Sequence, residues 1–322
     1  MRVQPWRSAV LSVSLIFSAI AVQAAAKSDP PVVVVGNFFD PGDADAATFS
    51  PDAKIVALPD AGFRANDVTL WEVASGLPLR TLTHRAFFTA SLFVPNGTLM
   101  VSGHKDGTIK LWEVETGAVL VTLHAKLRAG RGPDPDPISS LWIDGKGELL
   151  VSGDRAGVAT VWSLATRRPI LSVKRPQLDK LGNVPDILAA RLTADGRRLI
   201  VLARSSINLD NIDSVTEYDA RSGVEISSFN LPGKHAFVDN GYVRDGEAIV
   251  LVSGPNCELG ELILFSFRDR ASVASVHKPA VCDKPKDGNA PEPAKIFSSP
   301  DSTRVVIAQD GDPDLRLWDV AT

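Results

Sequence analysis

The sequence repeats a single pattern six times, and this repeat is the feature that most restricts the fold. Short apolar segments that end in an aromatic residue recur along the chain, and the aromatics are Trp71, Trp112, Trp162, Tyr218, Phe265 and Trp318. Successive aromatics are 41, 50, 56, 47 and 53 residues apart. An internal period of this size indicates an array of similar structural units that cover one another.

Each unit predicts four β-strands, called a to d in chain order. Strand b follows a turn such as FSPDAK or DGKGE, strand c carries the aromatic, and strand d follows a turn such as ASG or ETG. The b strands, among them KIVALP, TLMVS, ELLVS and RRLIVLA, are almost continuously apolar. Strands of this kind are buried on both faces. We therefore predict an all-β chain whose consecutive sheets pack face to face.

The motifs on strands c, which read LWEV, LWEV and LWDV, resemble those of the WD-repeat family, as do FSPD and the segment SGxxDGTIKLW. The resemblance extends over about residues 45–322. It implies a six-bladed β-propeller of four-stranded antiparallel blades. It also implies a non-enzymatic role, in which the propeller is a rigid scaffold for protein partners.

The same resemblance implies a structural tetrad in the second unit. In the family, a His after strand d, a Ser or Thr on strand b, an Asp in the b-to-c turn and the strand-c Trp form hydrogen bonds with one another. The matching residues are His84, Ser102, Asp106 and Trp112. The third unit has Ala156 in place of the Asp, and the later units lack most of the set.

The last unit predicts only strands a, b and c before the sequence stops at Thr322. An unpaired sheet edge at that point would favour aggregation. The β-like run PVVVVGNF at residues 31–38 offers a fourth strand. We therefore expect residues 31–38 to close the ring, with the propeller itself spanning 39–322. The alternative is that 31–38 is only a leading strand and that the sequence is part of a longer protein.

The first residues have the character of a secretory signal peptide. Arg2 and Arg7 precede the apolar run SAVLSVSLIFSAIAV, and small residues follow it in QAAAKS. The run is shorter than the roughly 20 residues of a comfortable membrane span. We expect residues 1–26 to be removed and the mature chain to be periplasmic or secreted, without membrane insertion.

Charge and cysteine content agree with an exported protein that binds other proteins. The net charge is −4, and loss of the two early arginines leaves 32 basic and 38 acidic residues. This balance disfavours nucleic-acid binding. In an oxidising compartment the only two cysteines, Cys257 and Cys282, predict a disulfide, with two free thiols as the alternative. We expect a monomer whose partners are proteins.

Extra length in the units falls mainly in the d-to-a and b-to-c connections, which emerge on the same face of a propeller. The long connections are residues 124–137, 174–186, 203–214, 254–261 and 277–293. Long irregular loops on a rigid scaffold commonly carry binding sites. We call this the loop-rich face and predict that it binds the partner.

Three basic residues occupy equivalent b-to-c turn positions, seven residues before the strand-c aromatic. They are Arg64, Lys105 and Arg155 in the first three units. Their counterparts in the later units are Asn211, Glu258 and Gly311. This basic arc is a candidate partner-binding surface that orients the partner by charge. The alternative is that these are solvated hairpin tips.

The rival interpretation is a propeller enzyme or small-ligand binder, lactonase-like or metal-assisted, with its site at the mouth of the central channel. Such a site needs inward-facing polar residues on the a strands, and only Arg191 and Asp239 meet that requirement. Four histidines near the ends of strands d could in principle bind a metal ion: His84, His124, His235 and His277. The chain has no GxSxG, P-loop, HExxH or GxGxxG motif, so we predict no catalytic residues, metal or cofactor.

Overall fold

The structure is a computed structural model. It describes residues 48–59, 66–125, 136–175, 186–207, 210–231, 242–243, 248–253, 261–267, 269–277, 295–298, 304–308 and 316–319. The chain divides into two compact units. The N-terminal unit is Gly42–Gly233, and the described part of the C-terminal unit lies within Lys234–Thr322.

The N-terminal unit contains four antiparallel sheets of four strands each. The first sheet comprises β1 (Thr48–Phe49), β2 (Ile55–Pro59), β3 (Asp67–Glu72) and β4 (Pro78–Thr83). The second comprises β5 (Phe88–Phe93), β6 (Leu99–His104), β7 (Thr108–Glu113) and β8 (Val119–His124). The third comprises β9 (Ile138–Ile143), β10 (Leu149–Asp154), β11 (Val158–Ser163) and β12 (Arg168–Lys174). The fourth comprises β13 (Asp186–Leu192), β14 (Arg198–Ile207), β15 (Asp210–Asp219) and β16 (Glu225–Asn230).

The C-terminal unit contains one four-stranded and one three-stranded sheet among its described residues. The first comprises β17 (Tyr242–Val243), β18 (Ala248–Ser253), β19 (Glu261–Ser266) and β20 (Ala271–His277). The second comprises β21 (Lys295–Ser298), β22 (Arg304–Ala308) and β23 (Arg316–Asp319). Strand β17 pairs with β18 through Tyr242 with Ile249 and Val243 with Ala248.

Tight turns join the four strands of the second sheet in chain order. In the second sheet Gly97 and Gly117 have φ angles of 73°, a backbone conformation that favours glycine. The Gly97 N–H donates to the carbonyl of Val94 at 2.7 Å, and the Gly117 N–H donates to that of Glu113 at 2.8 Å. These turns explain why short runs with Gly at the corners form hairpins.

The hydrophobic cores of the N-terminal unit lie between consecutive sheets. The core between the first and second sheets includes Val68, Leu70, Leu82, Met100 and Trp112. The core between the second and third includes Val101, Ile109, Leu123, Ile138 and Leu150. The core between the third and fourth includes Val151, Val161, Ile187, Leu199 and Tyr218. Adjacent residues of one b strand, such as Met100 and Val101, thus face different neighbours, and this confirms burial on both faces.

Glycines near the ends of two b strands allow the next sheet to approach closely. A Cβ atom added to Gly103 would lie 2.6 Å from Cγ2 of Ile138. Gly153 stands in the same relation to Ile187 in the following sheet. Real Cβ atoms do not approach other atoms this closely, so these positions require glycine for packing and not for backbone conformation.

A β-bulge precedes the strand-c aromatic in all five four-stranded sheets. In the second sheet Leu111 pairs with Val121 and Trp112 pairs with Val119, which leaves Leu120 as the extra residue. The extra residue turns out of the ladder. In every case it is aliphatic and 42–57% exposed: Leu79, Leu120, Ile170, Ile226 and Val273.

One expected loop is a hairpin instead. Residues 203–214 were expected to form a long irregular b-to-c connection, but β14 and β15 pair as far as Ile207 and Asp210. The ladder between β14 and β15 continues through the pairs Ser205 with Ile212 and Ser206 with Asn211, and it pairs backbone groups that an irregular loop would leave to solvent. The b and c strands of the fourth sheet have 10 residues each, whereas those of the second and third sheets have 6.

The prediction of an all-β chain built from four-stranded antiparallel units is confirmed in the five four-stranded sheets. Residues 1–26 and the expected closing strand 31–38 lie outside the described residues. Within the part of the chain that the structure places, no helix has the length and apolar character needed to cross a bilayer.

Gly153→Ala is expected to lower the free energy of unfolding by about 1–3 kcal/mol, because the added methyl group would overlap Ile187. The matched control is Gly145→Ala, at a position where an added Cβ meets no atom within 4 Å. Chemical denaturation should place the control within about 0.5 kcal/mol of the parent chain. Equal effects of the two substitutions would contradict the close approach of the third and fourth sheets.

Candidate functional site

The four residues of the expected tetrad lie close together where the first sheet meets the second. Trp112 lies on β7 and its indole N–H donates to Oγ of Ser102 on β6, at 2.7 Å. Ser102 is fully buried, and its hydroxyl also lies 2.8 Å from Nε2 of His104. The imidazole that contacts Ser102 is therefore that of His104, a residue absent from the expected set.

His84 and Asp106 form a second hydrogen-bonded group. Nε2 of His84, in the connection after β4, lies 3.1 Å from Oδ2 of Asp106 and 3.4 Å from Oγ1 of Thr108. The other carboxylate oxygen of Asp106 accepts from the backbone N–H and the hydroxyl of Thr108, at 3.1 and 2.6 Å. Burial alone would raise the pKa of Asp106, but the hydrogen bonds from Thr108 and His84 lower it overall.

The two groups meet through their imidazole rings. The ring centroids of His84 and His104 are 4.1 Å apart, and the Phe88 ring packs edge-on against His104 at 4.5 Å. Burial, and then the nearby His84, lower the pKa of His104 to about 3. His104 is thus neutral at physiological pH. The structure contains two hydrogen-bonded groups joined by ring packing, instead of one continuous four-residue network.

The third sheet builds the equivalent position differently. The Trp162 indole N–H donates to Oγ of Ser152 at 2.9 Å, as in the second sheet. Asp154 stands where the second sheet has His104, and its Oδ1 accepts from the backbone N–H groups of Ala156 and Val158, both at 2.9 Å. Asp154 thereby holds the turn that Asp106 holds in the second sheet. Burial raises the pKa of Asp154 to about 6.

A buried arginine replaces the His after strand d at the entry to the fourth sheet. Arg175 follows β12 as His84 follows β4, and only 6% of its surface is exposed. Its guanidinium donates to Oγ of Ser214 at 2.7 Å and to Oγ of Ser228 at 3.3 Å. Both serines belong to the fourth sheet, so Arg175 links consecutive sheets as the histidine does.

Sequence reasoning missed His104, Asp154 and Arg175. A signal was present for the first two, because residues two apart on a strand point to the same side. His104 follows Ser102 by two residues, and Asp154 follows Ser152 by two. Arg175 carried no such signal, since a basic residue after a strand is ordinarily solvated.

Of the basic arc, the structure describes two members. Lys105 and Arg155 are exposed in the b-to-c turns of the second and third sheets, and the Lys105 ammonium lies 5.4 Å from the centre of the Phe87 ring. Arg64 lies outside the described residues, as do Cys257, Cys282 and Asp239.

The rival enzyme interpretation named Arg191, which lies on β13 with its guanidinium 5.5 Å from the centre of the Trp142 ring. Among the residues whose positions are described, no group of three or more His, Cys, Asp or Glu side chains is arranged to hold a metal ion.

The two equivalent buried residues are expected to give opposite pH dependences. The folded-state pKa of His104 is about 3, below its ordinary 6.5, so the unfolded chain binds a proton that the folded chain does not. The free energy of unfolding is therefore not reduced by His104 above pH 6.5, and it falls as the pH decreases below that value. Relative to His104→Gln, the parent chain should lose about 2 kcal/mol between pH 7 and pH 5.

For Asp154 the sign reverses, because its folded-state pKa of about 6 lies above the ordinary 3.8. The parent chain should gain about 1 kcal/mol relative to Asp154→Asn when the pH falls from 7 to 5. Denaturant unfolding at both pH values measures the two differences. Parallel pH profiles for the parent and both variants would contradict the burial of these side chains.

Comparison with known proteins identifies the repeat. The WD domain, G-beta repeat model matches residues 76–113. Periodic tryptophan protein 2 of Arabidopsis thaliana is 28% identical over 133 residues, which is 41% of this chain and 13% of that protein. Protein ROOT INITIATION DEFECTIVE 3 of the same plant is 40% identical over 68 residues, 21% of this chain and 14% of that protein. Small ribosomal subunit protein RACK1 of Brassica napus is 28% identical over 134 residues, 38% of this chain and 40% of that protein.

The aligned part thus spans less than half the length of each of these relatives. Among solved structures, the β-propeller domain of Cps50 (Swd1) from Myceliophteria thermophila is similar in fold, with a TM-score of 0.60 at 16% identity. That likeness covers 86% of this chain and 83% of the solved one. One repeat of the chain thus matches the WD domain, G-beta repeat model, and the fold is similar to that of a solved β-propeller.

Proposed function

We propose that the chain is a non-enzymatic WD-repeat scaffold that binds a protein partner through its loop-rich face. The observation that carries the proposal is the placement of Lys105 and Arg155. Both are exposed at equivalent turns of consecutive sheets that share one core. Protein surfaces that present charges on a fixed framework select partners by electrostatic complementarity.

Backbone hydrogen bonds fix the two turns to the inner strands. The Lys105 N–H donates to the carbonyl of Phe87 at 2.9 Å, and the Arg155 N–H donates to that of Pro137 at 3.1 Å. Each acceptor immediately precedes an inner strand, β5 or β9. The spacing of the two turns therefore follows from the packing of the sheets, and a partner can bind the two side chains without ordering a loop.

The relatives support a role in protein assembly. RACK1 is by name a protein of the small ribosomal subunit, and a ribosomal subunit is an assembly of many chains. The likeness covers part of each relative, so it supports the class of function and not a particular partner.

We further propose that the propeller has six blades, that residues 31–38 supply the fourth strand beside β23, and that the chain is exported after removal of residues 1–26. Among the described residues β21–β23 form a sheet of three strands, which supports a fourth strand beside β23. The basic and apolar pattern of residues 1–26 supports export.

The partner-binding proposal predicts that Lys105→Glu combined with Arg155→Glu reduces partner recovery several-fold in a pull-down from envelope extract, measured by quantitative mass spectrometry. The matched control combines Lys146→Glu with Arg197→Glu, which reverses two exposed charges in the a-to-b turns at the opposite ends of the strands. The control should recover the same partner as the parent chain. Equal loss of partner recovery in both double variants would show that recovery depends on overall charge, and would contradict partner binding by the basic arc.

The export proposal predicts the state of the protein purified from its native host. Peptide mapping should find a mature N-terminus between residues 24 and 27, with Cys257 and Cys282 joined and protected from alkylation unless reduced. Hydrogen exchange should show residues 31–38 as slowly exchanging as the strands of the described sheets. An intact N-terminus would contradict export, and rapid exchange of 31–38 would contradict ring closure.

A further inference from the structure

An open groove runs beside the histidine cluster, where the first sheet meets the second. It has a volume of about 370 Å³ and is lined by Thr83, His84, Arg85 and Lys110. Its walls come from the end of β4, from the connection that follows it, and from the middle of β7. The groove is thus built from two consecutive sheets.

The groove carries two positive charges. The Lys110 side chain is half-buried, and its ammonium lies 5.2 Å from the centre of the Trp112 ring. Burial lowers the pKa of Lys110, and the neighbouring Asp106 opposes that effect only in part. Arg85 is exposed at the rim. Among the described residues, no carboxylate lies within ion-pair distance of either base.

Asp106, the acid beside the groove, is occupied by other partners. Its oxygens accept from Thr108 and contact His84, and it forms no direct ion pair with Lys110. Asp106 offsets only part of the effect of burial on Lys110, so a further anion in direct contact with the ammonium would stabilise its charged form. An anion that entered the groove would find two cations, and the Thr83 hydroxyl at the edge could donate a hydrogen bond.

We propose that this groove binds a carboxylate side chain of an acidic peptide segment in a protein partner. The volume of the groove suits one or two side chains. The net charge of the chain is −4, which disfavours binding of a polyanion such as nucleic acid but does not prevent two local cations from binding one carboxylate. The inference rests on the proposed protein-binding function, but it uses residues distinct from Lys105 and Arg155.

Fluorescence anisotropy with a labelled hexaglutamate peptide tests the proposal on the full chain. Lys110→Met keeps the apolar stem and removes the charge, and Arg85→Gln removes the charge at the rim. Each change should weaken hexaglutamate binding by about fivefold or more, the ratio expected for loss of one partly desolvated ion pair. Lys146→Gln, which removes an exposed base at a distant turn, should leave binding unchanged.

Several results would overturn the proposal. One is that the parent chain fails to bind hexaglutamate, and another is that the groove variants bind it as tightly as the Lys146→Gln control. A third is that the parent chain binds a labelled hexaglutamine peptide as tightly as hexaglutamate. Stronger competition by inorganic phosphate or by a single-stranded oligonucleotide than by glutamate would assign the groove to a different ligand. Thermal unfolding of each variant confirms that it is folded, and Arg85→Gln alters only an exposed side chain.

The test separates this inference from the wider function. Loss of hexaglutamate binding in the Lys105→Glu and Arg155→Glu double variant, with binding retained in Lys110→Met, would place the carboxylate site on the basic arc and not in the groove. If the pull-down recovers a partner but Lys110→Met does not change the affinity for hexaglutamate, the scaffold function is supported and the groove is not the carboxylate site.

Discussion

The structure of the N-terminal unit depends on one constraint, which is that the apolar faces of consecutive sheets must cover one another. The b strands show this directly, since Met100 faces the first sheet and Val101 faces the third. A solitary sheet of this composition would leave both faces in water. Close approach of neighbouring sheets then requires Gly103 opposite Ile138 and Gly153 opposite Ile187.

The polar contacts between sheets vary much more than the cores. At one position the second sheet has a neutral histidine, His104, and the third has a buried acid, Asp154. Burial favours the uncharged form in both, so it lowers the pKa of the imidazole and raises that of the carboxyl group. Between the third and fourth sheets, the polar contact is made by the guanidinium of Arg175, which donates a hydrogen bond to Ser214. The apolar packing sets the arrangement, and different polar side chains complete it.

The sequence was a reliable guide to the repeated unit and a poor guide to the polar clusters. Turn glycines, apolar b strands and strand-c aromatics predicted the hairpins, because each is a local signal that recurs in every unit. The Trp112 to Ser102 bond was also within reach. The role of His104 was missed, although it follows Ser102 by two residues, because the family resemblance assigned the histidine of the set to His84. The long β14–β15 hairpin was missed because its polar sequence resembles a loop.

The most direct test of mutual coverage between sheets is a double-mutant cycle across one junction, with Gly103→Ala in the second sheet and Ile138→Ala in the third. Unfolding free energies of the parent, the two single variants and the double variant give the coupling energy. We expect the double variant to be more stable than the sum of the single effects by about 1 kcal/mol, because Ile138→Ala removes Cγ2, the atom that lies 2.6 Å from the new methyl group, and leaves only the contact with Cβ at 2.9 Å. Strict additivity of the two changes would contradict the proposed face-to-face packing.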